Sequence, residues 1–376
     1  MDFSCGRGEF LTGVKIVSRA LGRATSMPIL AGVKLETKKN QLTLYATDLE
    51  RAIWCSVPIE NRGGDEALVL NGELLVKIAT TLPADTVELK TIPGTGKVEI
   101  TSGGARFDLF RLSLEDYPEL PSLPDRPICM LAKSQLERSL ELVAYAALPA
   151  RETSRLSLTG VNMVLERDTL KVVATNGYRL AVKTEDLAQK ASREGEFLVA
   201  ADSMRDLAGI LAQLDAEAVE IYQAENYLFF KAGSVVFVGR LIEEAYPDFE
   251  KVIPKDNPIG ISLERKRFLE ALQRAQITAA EESDAVILSV ENSLLRVSSQ
   301  AAEKGETHEE IPLKKKTKPI KISFRAEYLI DALKRLESDE VTLWLADAES
   351  AGLLEPGDSE ADHGFLYVCM PIRMDF

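Results

Sequence analysis

Asp116-Tyr117-Pro118-Glu119-Leu120-Pro121 and Ala245-Tyr246-Pro247-Asp248-Phe249, the second leading to Pro254, are the stretches on which the reading of the fold turns. Proline lacks an amide hydrogen and fixes its own φ, so such runs interrupt helices and sheet ladders and suit linkers. The same Tyr-Pro-acid signal closes two successive units of similar length, and a third unit runs on to the last residue. Working outward from these boundaries, each unit repeats one pattern. Helical periodicity begins near Glu9, Asn71, Ser134, Asp202, Glu264 and Ala326, two helices to a unit. Each helix is followed by alternating segments such as Gln41–Leu44, Thr169–Val173 and Val286–Val290, which read as strands with one apolar face. The expected fold is α+β: three similar domains, 1–122, 126–252 and 256–376, each with two helices and two small antiparallel sheets.

Composition narrows the class. Hydrophobic residues make up 45% of the chain, enough to build several packed cores. No apolar run approaches the length of a membrane span, and Met1–Cys5 lacks the basic-then-apolar start of a secretory signal. We therefore expect a soluble, cytoplasmic protein. Cys5, Cys55, Cys129 and Cys369 are scattered singly, which suits buried reduced thiols rather than a disulfide framework or a metal site. The two histidines, His308 and His363, lie in polar, acidic stretches that read as loops, so neither a zinc site nor a histidine-based triad is expected. No metal and no cofactor are expected.

Net charge is −14, which by itself argues against a nucleic-acid partner, but net charge says nothing about distribution. On helical wheels every unit sets cations opposite an apolar stripe. Lys15 and Arg19 oppose Phe10, Val14, Val17 and Leu21; Lys77 opposes Leu75, Ala79 and Leu82. Arg138 opposes Leu136, Leu140 and Val143, and Arg205 opposes Leu207, Leu211 and Leu214. Lys266, flanked by Arg267 and Arg274, opposes Phe268, Leu272 and Ala275; Lys334 and Arg335 lie outward of Leu329, Leu333 and Leu336. These cations suit phosphate attraction without base reading. An ordinary solvated face is the alternative, because Asp206, Glu270 and Asp331 share the same surfaces.

Several motifs then appear in a fixed order: Ser26-Met27-Pro28-Ile29-Leu30, Ala46-Thr47-Asp48-Leu49-Glu50, Arg106-Phe107-Asp108-Leu109, Leu158-Thr159-Gly160-Val161, Val173-Ala174-Thr175-Asn176-Gly177-Tyr178-Arg179-Leu180-Ala181 and Tyr367-Val368-Cys369-Met370-Pro371-Ile372-Arg373-Met374. Together with the threefold repeat they make essentially the whole chain similar to the beta subunit of bacterial DNA polymerase III, the sliding clamps. The resemblance implies a DNA clamp fold in which two subunits join head to tail in a ring-shaped homodimer. Helices would line a hole around double-stranded DNA, and the subunit would have no catalytic activity of its own. It adds Arg23, after the first helix, to the candidate DNA-contacting residues. It also implies a cleft for short peptides of DNA polymerase, clamp-loader ATPase and repair proteins. The matching positions are Arg155, Leu158, Thr175, Gly177, Tyr178, Arg179, Leu180, Pro247, Val252, Tyr328, Val368, Met370, Pro371 and Met374.

The resemblance implies a subunit interface that sets Arg274, Ile277 and Thr278 against Leu74, Phe107 and Leu109 of the partner. Thr278 stands where a second aliphatic residue is usual, so leucine there is expected to tighten the dimer. Other departures concern peptide preference: Tyr178 replaces a common histidine, Asn176 an aspartate, Lys251 an arginine and Arg325 an asparagine. The stretch Gly352–Gly364 lengthens the loop before the last strand.

Rival readings have less to stand on. Gly94-Thr95-Gly96-Lys97 suggests a phosphate loop, but Thr91 and Val98 occupy positions where that motif needs glycine and a hydroxyl residue. A hairpin turn is expected there. The adjacent acids Glu281-Glu282 and Glu309-Glu310 suit solvated loops better than an acid–base pair. An accessory second clamp and a scaffold that does not bind DNA remain as alternatives.

Overall fold

The computed structural model describes residues 1–22 and 27–374. The first repeat runs β1 (Asp2–Gly6), α1 (Arg7–Val17), β2 (Gly32–Lys38), β3 (Gln41–Thr47), β4 (Arg51–Pro58), β5 (Glu60–Asn61), β6 (Glu66–Asn71), α2 (Gly72–Thr81), β7 (Thr86–Ile92), β8 (Lys97–Ser102) and β9 (Ala105–Phe110). The second runs β10 (Cys129–Ala132), α3 (Lys133–Val143), β11 (Gly160–Leu165), β12 (Thr169–Thr175), β13 (Arg179–Asp186), β14 (Gly195–Ala200), α4 (Ala201–Leu211), β15 (Ala218–Ala224), β16 (Tyr227–Ala232) and β17 (Val235–Arg240). The third runs β18 (Ile259–Glu264), α5 (Arg265–Ile277), β19 (Ala285–Glu291), β20 (Leu294–Ala301), β21 (Gly305–Pro312), β22 (Ile320–Arg325), α6 (Ala326–Arg335), β23 (Glu340–Leu345), β24 (Gly352–Pro356) and β25 (Phe365–Cys369). Apart from the short β5, one order recurs: a strand, a helix, four strands, a helix and three strands.

Two compact units emerge. The first comprises Met1–Ser134 and Gly209–Leu241, the second Gln135–Ala208 and the chain from Ile242 on. In the first unit, one sheet has the order β5-β1-β7-β8-β9 and the other β10-β15-β16-β17-β4-β3-β2-β6. The second unit holds β14-β11-β12-β13-β25-β24-β23-β18 and β21-β20-β19-β22. Small sheets of neighbouring repeats are thus fused edge to edge. Val235–Gly239 of β17 pairs antiparallel with Arg51–Cys55 of β4, and Arg179–Lys183 of β13 with Phe365–Cys369 of β25.

Helices pack on these sheets through the expected stripes. Phe10, Val14 and Val17 of α1 are fully buried. Gly13 lets α1 lie close to its sheet, because a Cβ there would stand 2.9 Å from Leu44 Cδ1. In α6, Leu329 and Leu333 are buried, Glu327 lies in the first turn, and Lys334 and Arg335 lie in the last, in keeping with the helix dipole. Leu21, Leu82, Leu214 and Leu336 fall beyond the ends of α1, α2, α4 and α6, so those four stripes are shorter than the wheels implied. Gly94 and Gly96 take positive φ in the turn between β7 and β8, so that segment is the expected hairpin. His308 lies within β21 rather than in a loop. Among the described residues, no helix is long and apolar enough to cross a membrane.

Candidate functional site

A concavity with a mostly apolar lining lies in the second unit, where β12, β13 and β25 meet the segment after Tyr246. A hollow of about 240 Å³ is lined by Arg155, Leu158, Thr175, Gly177, Tyr178, Arg179, Leu180, Pro247, Asp248, Phe249, Val252, Val368 and Met370. Its floor is continuous with the core: Leu180 is 2% exposed and packs with Val173, Val182, Phe249 and Val368. Tyr178, Val252 and Met370 keep large exposed apolar surfaces at the rim. Tyr328, Pro371 and Met374, expected in the same cleft, do not line this hollow. Tyr328 instead lies 4.7 Å beneath the Arg179 guanidinium. Met374 is exposed on the segment after β25, which Ile372 N ties to Ser323 O at 2.8 Å.

A tight turn builds one wall. Thr175 Oγ1 donates to Arg179 O at 2.6 Å and accepts from Gly177 N, while Asn176 Oδ1 accepts from Tyr178 N and Arg179 N. Gly177 sits at φ +88°, open to glycine at no steric cost. The turn projects Tyr178 outward and sends Arg179 inward, where it pairs with Asp331 at 2.7 Å and donates to Tyr145 O at 3.0 Å. An apolar floor with aromatic, thioether and charged groups at the rim can hold an extended segment by its hydrophobic side chains.

The helical cations divide into two kinds. Lys15, Lys77, Lys266 and Lys334 are exposed, Lys77 being paired with Glu73 one turn away at 2.5 Å. Arg19 sits on the 3₁₀ turn Ser18–Ala20 that follows α1. Arg205 pairs with Asp202 and donates to Ala144 O at 2.8 Å. Arg267 reaches Glu310 O at 3.4 Å. Arg274 holds Glu309 through two bonds of 2.6 and 3.1 Å, which keeps that carboxyl below its usual range. Arg138 corrects the wheel. It is 14% exposed and donates to Asp362 Oδ1 at 2.5 Å and to Arg335 O at 2.6 Å, so it turns inward to a buried carboxylate instead of outward. Arg23 lies outside the described residues.

The candidate interface residues also separate. Ile277 is 71% exposed, and Leu74 is exposed on α2. Leu109 is only 9% exposed, because odd positions of β9 face the sheet's own core, and Phe107 is half-buried beside it. The exposed aromatic of β9 is Phe110, at 70% and on the opposite face. Thr278 Oγ1 lies 2.7 Å from Ser299 Oγ and 2.8 Å from Thr307 Oγ1, inside a hydroxyl cluster of its own chain. All four cysteines are buried and free, and burial pushes the Cys5, Cys129 and Cys369 thiols up to about 12.

Three family models match the chain consecutively. The N-terminal domain of the DNA polymerase III beta subunit matches residues 1–121, the central domain 130–248 and the C-terminal domain 250–373. A beta sliding clamp of Staphylococcus aureus is 30% identical over 382 residues, covering 99% of both chains. This chain belongs to the DNA polymerase III beta subunit family. Among solved structures, a DNA polymerase III subunit beta from Pseudomonas aeruginosa superposes with a TM-score of 0.92 at 26% identity, and a DNA polymerase sliding clamp from Bacillus subtilis with 0.91 at 27%, each covering 100% of both chains.

Within this beta-subunit member, sequence reasoning passed over three residues of the surfaces described. Phe249 and Asp248 belong to the linker motif 245–249, yet nothing in a linker reading places Phe249 under the hollow. Phe110 carried a usable signal. Apolar residues at 107, 109 and 110 cannot all share one face of a strand, so one of them had to point away from the core.

Proposed function

We propose that this chain is a DNA sliding clamp, a processivity factor rather than an enzyme. Two copies close head to tail around double-stranded DNA in the cytoplasm and hold it without reading its sequence. Residues 1–122, 126–252 and 256–376 act as three clamp domains. The hollow above Leu180 receives short apolar segments of DNA polymerase, of the clamp-loader ATPase and of repair proteins. Lys15, Arg19, Lys77, Arg205, Lys266, Arg267, Arg274 and Lys334 attract phosphate, while Ile277 and Leu74 contribute to the contact between copies. The observation that carries the reading is the ordered match to all three beta-subunit domains over almost the whole chain. No metal or cofactor enters this role.

The test is topological. Clamp loaded on a nicked circle by a loader and ATP is expected to stay through gel filtration and to leave after a single double-strand cut. Equal retention on cut and uncut DNA would mean that the protein binds DNA without encircling it.

A further inference from the structure

The loop between β21 and β22 reads Leu313-Lys314-Lys315-Lys316-Thr317-Lys318-Pro319, and Lys321 follows on β22. Five lysines in eight residues are unexpected in a chain of net charge −14. Leu313 N donates to Ser293 O at 2.8 Å and Thr317 N to Asn292 O at 3.3 Å, so the loop is tied to the turn between β19 and β20. Lys314 is neutralised by Glu340. Among the described residues Lys315, Lys316 and Lys318 are exposed and form no ion pair. The loop also has a neighbour of its own sign. Glu340 lies opposite Glu264 in the ladder of β18 and β23, and Glu264 immediately precedes α5. Arg267, in the first turn of α5, reaches back to β21 at Glu310. Lys266 beside it is exposed and unpaired. The lysine loop therefore continues the cationic start of α5.

We propose that Lys315, Lys316 and Lys318 form a second phosphate-docking surface, which extends the DNA contact of the third repeat from α5 onto the loop. Neighbouring ammonium groups repel one another, and that cost falls when they meet a row of phosphates and release its condensed counterions. The exposed residues of the loop between 314 and 319 are lysines and a proline, so it presents charge rather than apolar side chains. Charge alone selects its partner, and the nucleic-acid backbone has the dense, regular charge that suits it. That the polyanion is DNA rests on the sliding-clamp reading.

The experiment uses full-length protein, a short labelled linear duplex and fluorescence anisotropy over a salt series. Threaded DNA slides off such a duplex, so direct contact is what remains. For K315Q/K316Q/K318Q the affinity at low salt is expected to fall by about tenfold or more, and the slope of log affinity against log salt to become shallower by about 2.7, the value for three lost phosphate contacts. Urea unfolding is expected to be unchanged, because the three side chains are exposed and form no ion pair among the described residues. Unaltered affinity and slope would overturn the proposal, as would a loss of binding confined to an acidic polypeptide such as polyglutamate. Retention on closed circles is measured in parallel. If wild-type protein stays on circles while the slopes coincide, this inference fails and the clamp reading stands. If wild-type protein is not retained, the clamp reading fails first.

Discussion

Asp362 is a carboxylate with no exposed surface. Burial alone would raise its pKa, but Arg138 and the amides of Ser338 and Glu337 more than offset that, so its carboxyl stays below the usual range. Removing one partner of such a pair strands the other: Asp362→Ala is expected to cost about 3–5 kcal/mol in urea unfolding. Because the folded value is depressed, the contribution is complete above the unfolded carboxylate pKa of about 3.9 and is lost as pH falls through the lower folded value. The stability gap between wild type and Asp362→Asn should therefore be constant near neutrality and narrow below about pH 4; a gap that widens in acid would contradict the assignment. Thr278 also has a role within its own chain. Leucine there is expected to tighten the dimer, but the Thr278 hydroxyl serves Ser299 and Thr307 at the end of α5, which leucine cannot do. Thr278→Leu is expected to destabilise the fold by about 1–3 kcal/mol through unsatisfied hydroxyls, with Thr278→Ser near wild type in thermal unfolding. Neither partnership was legible, since sequence shows that a residue is polar and not which polar residue it will meet.

The turn of Thr175–Arg179 has a twin in Thr47–Arg51. There Thr47 Oγ1 bonds Arg51 O and Leu49 N, Asp48 Oδ1 accepts from Glu50 N and Arg51 N, and Leu49 takes φ +76°. The repeat is thus legible down to single hydrogen bonds, because short side chains that cap their own backbone leave a local signature. Helix starts were legible from hydrophobic periodicity, each lying within two residues of its expected position. Edge-to-edge fusion of sheets was not. Ala181 and Val182 in β13 and Val368 in β25 belong to apolar runs, and such runs show burial without naming the strand that lies alongside. The hollow inherits this asymmetry: Gly177 and Tyr178 could be read, whereas Leu180 proves to be core. Leu180→Asp, attractive from sequence, would bury a carboxylate at a cost of several kcal/mol and test folding instead of binding. Tyr178→Ala is the better probe. It should weaken clamp-motif peptides by about tenfold in calorimetry, as expected for a rim aromatic, and leave stability within about 0.5 kcal/mol. Removing the chain from Met370 onward, which takes away the Met370 N to Tyr178 O bond, should weaken the same peptides at least as much. Unchanged affinity in both variants would place the peptide site elsewhere.

For the whole molecule the open question is which apolar surface is covered in the assembly. Ile277 and Phe110 are the two most exposed large apolar side chains among the described residues. Burying either fully is worth about 1.5–3 kcal/mol, and a symmetric pair of contacts counts each twice. The homodimer proposed above should hold at micromolar concentration, and Ile277→Asp or Phe110→Asp should shift it to monomer in a sedimentation concentration series. A monomeric wild type would refute the dimer, and an intact dimer in both variants would refute the interface. The fused sheets bear on a different kind of event. The only covalent route from the first repeat to the second runs along the strap 111–128, and from the second to the third along 241–258. A protease that cut the first strap would sever the chain while leaving β4 zipped to β17, and a cut in the second would leave β13 zipped to β25. The scissile peptide bonds are therefore not what keeps successive repeats together. A clipped polypeptide would run as fragments on a denaturing gel and still migrate as one particle on a native one, its injury hidden until the sheets themselves are melted.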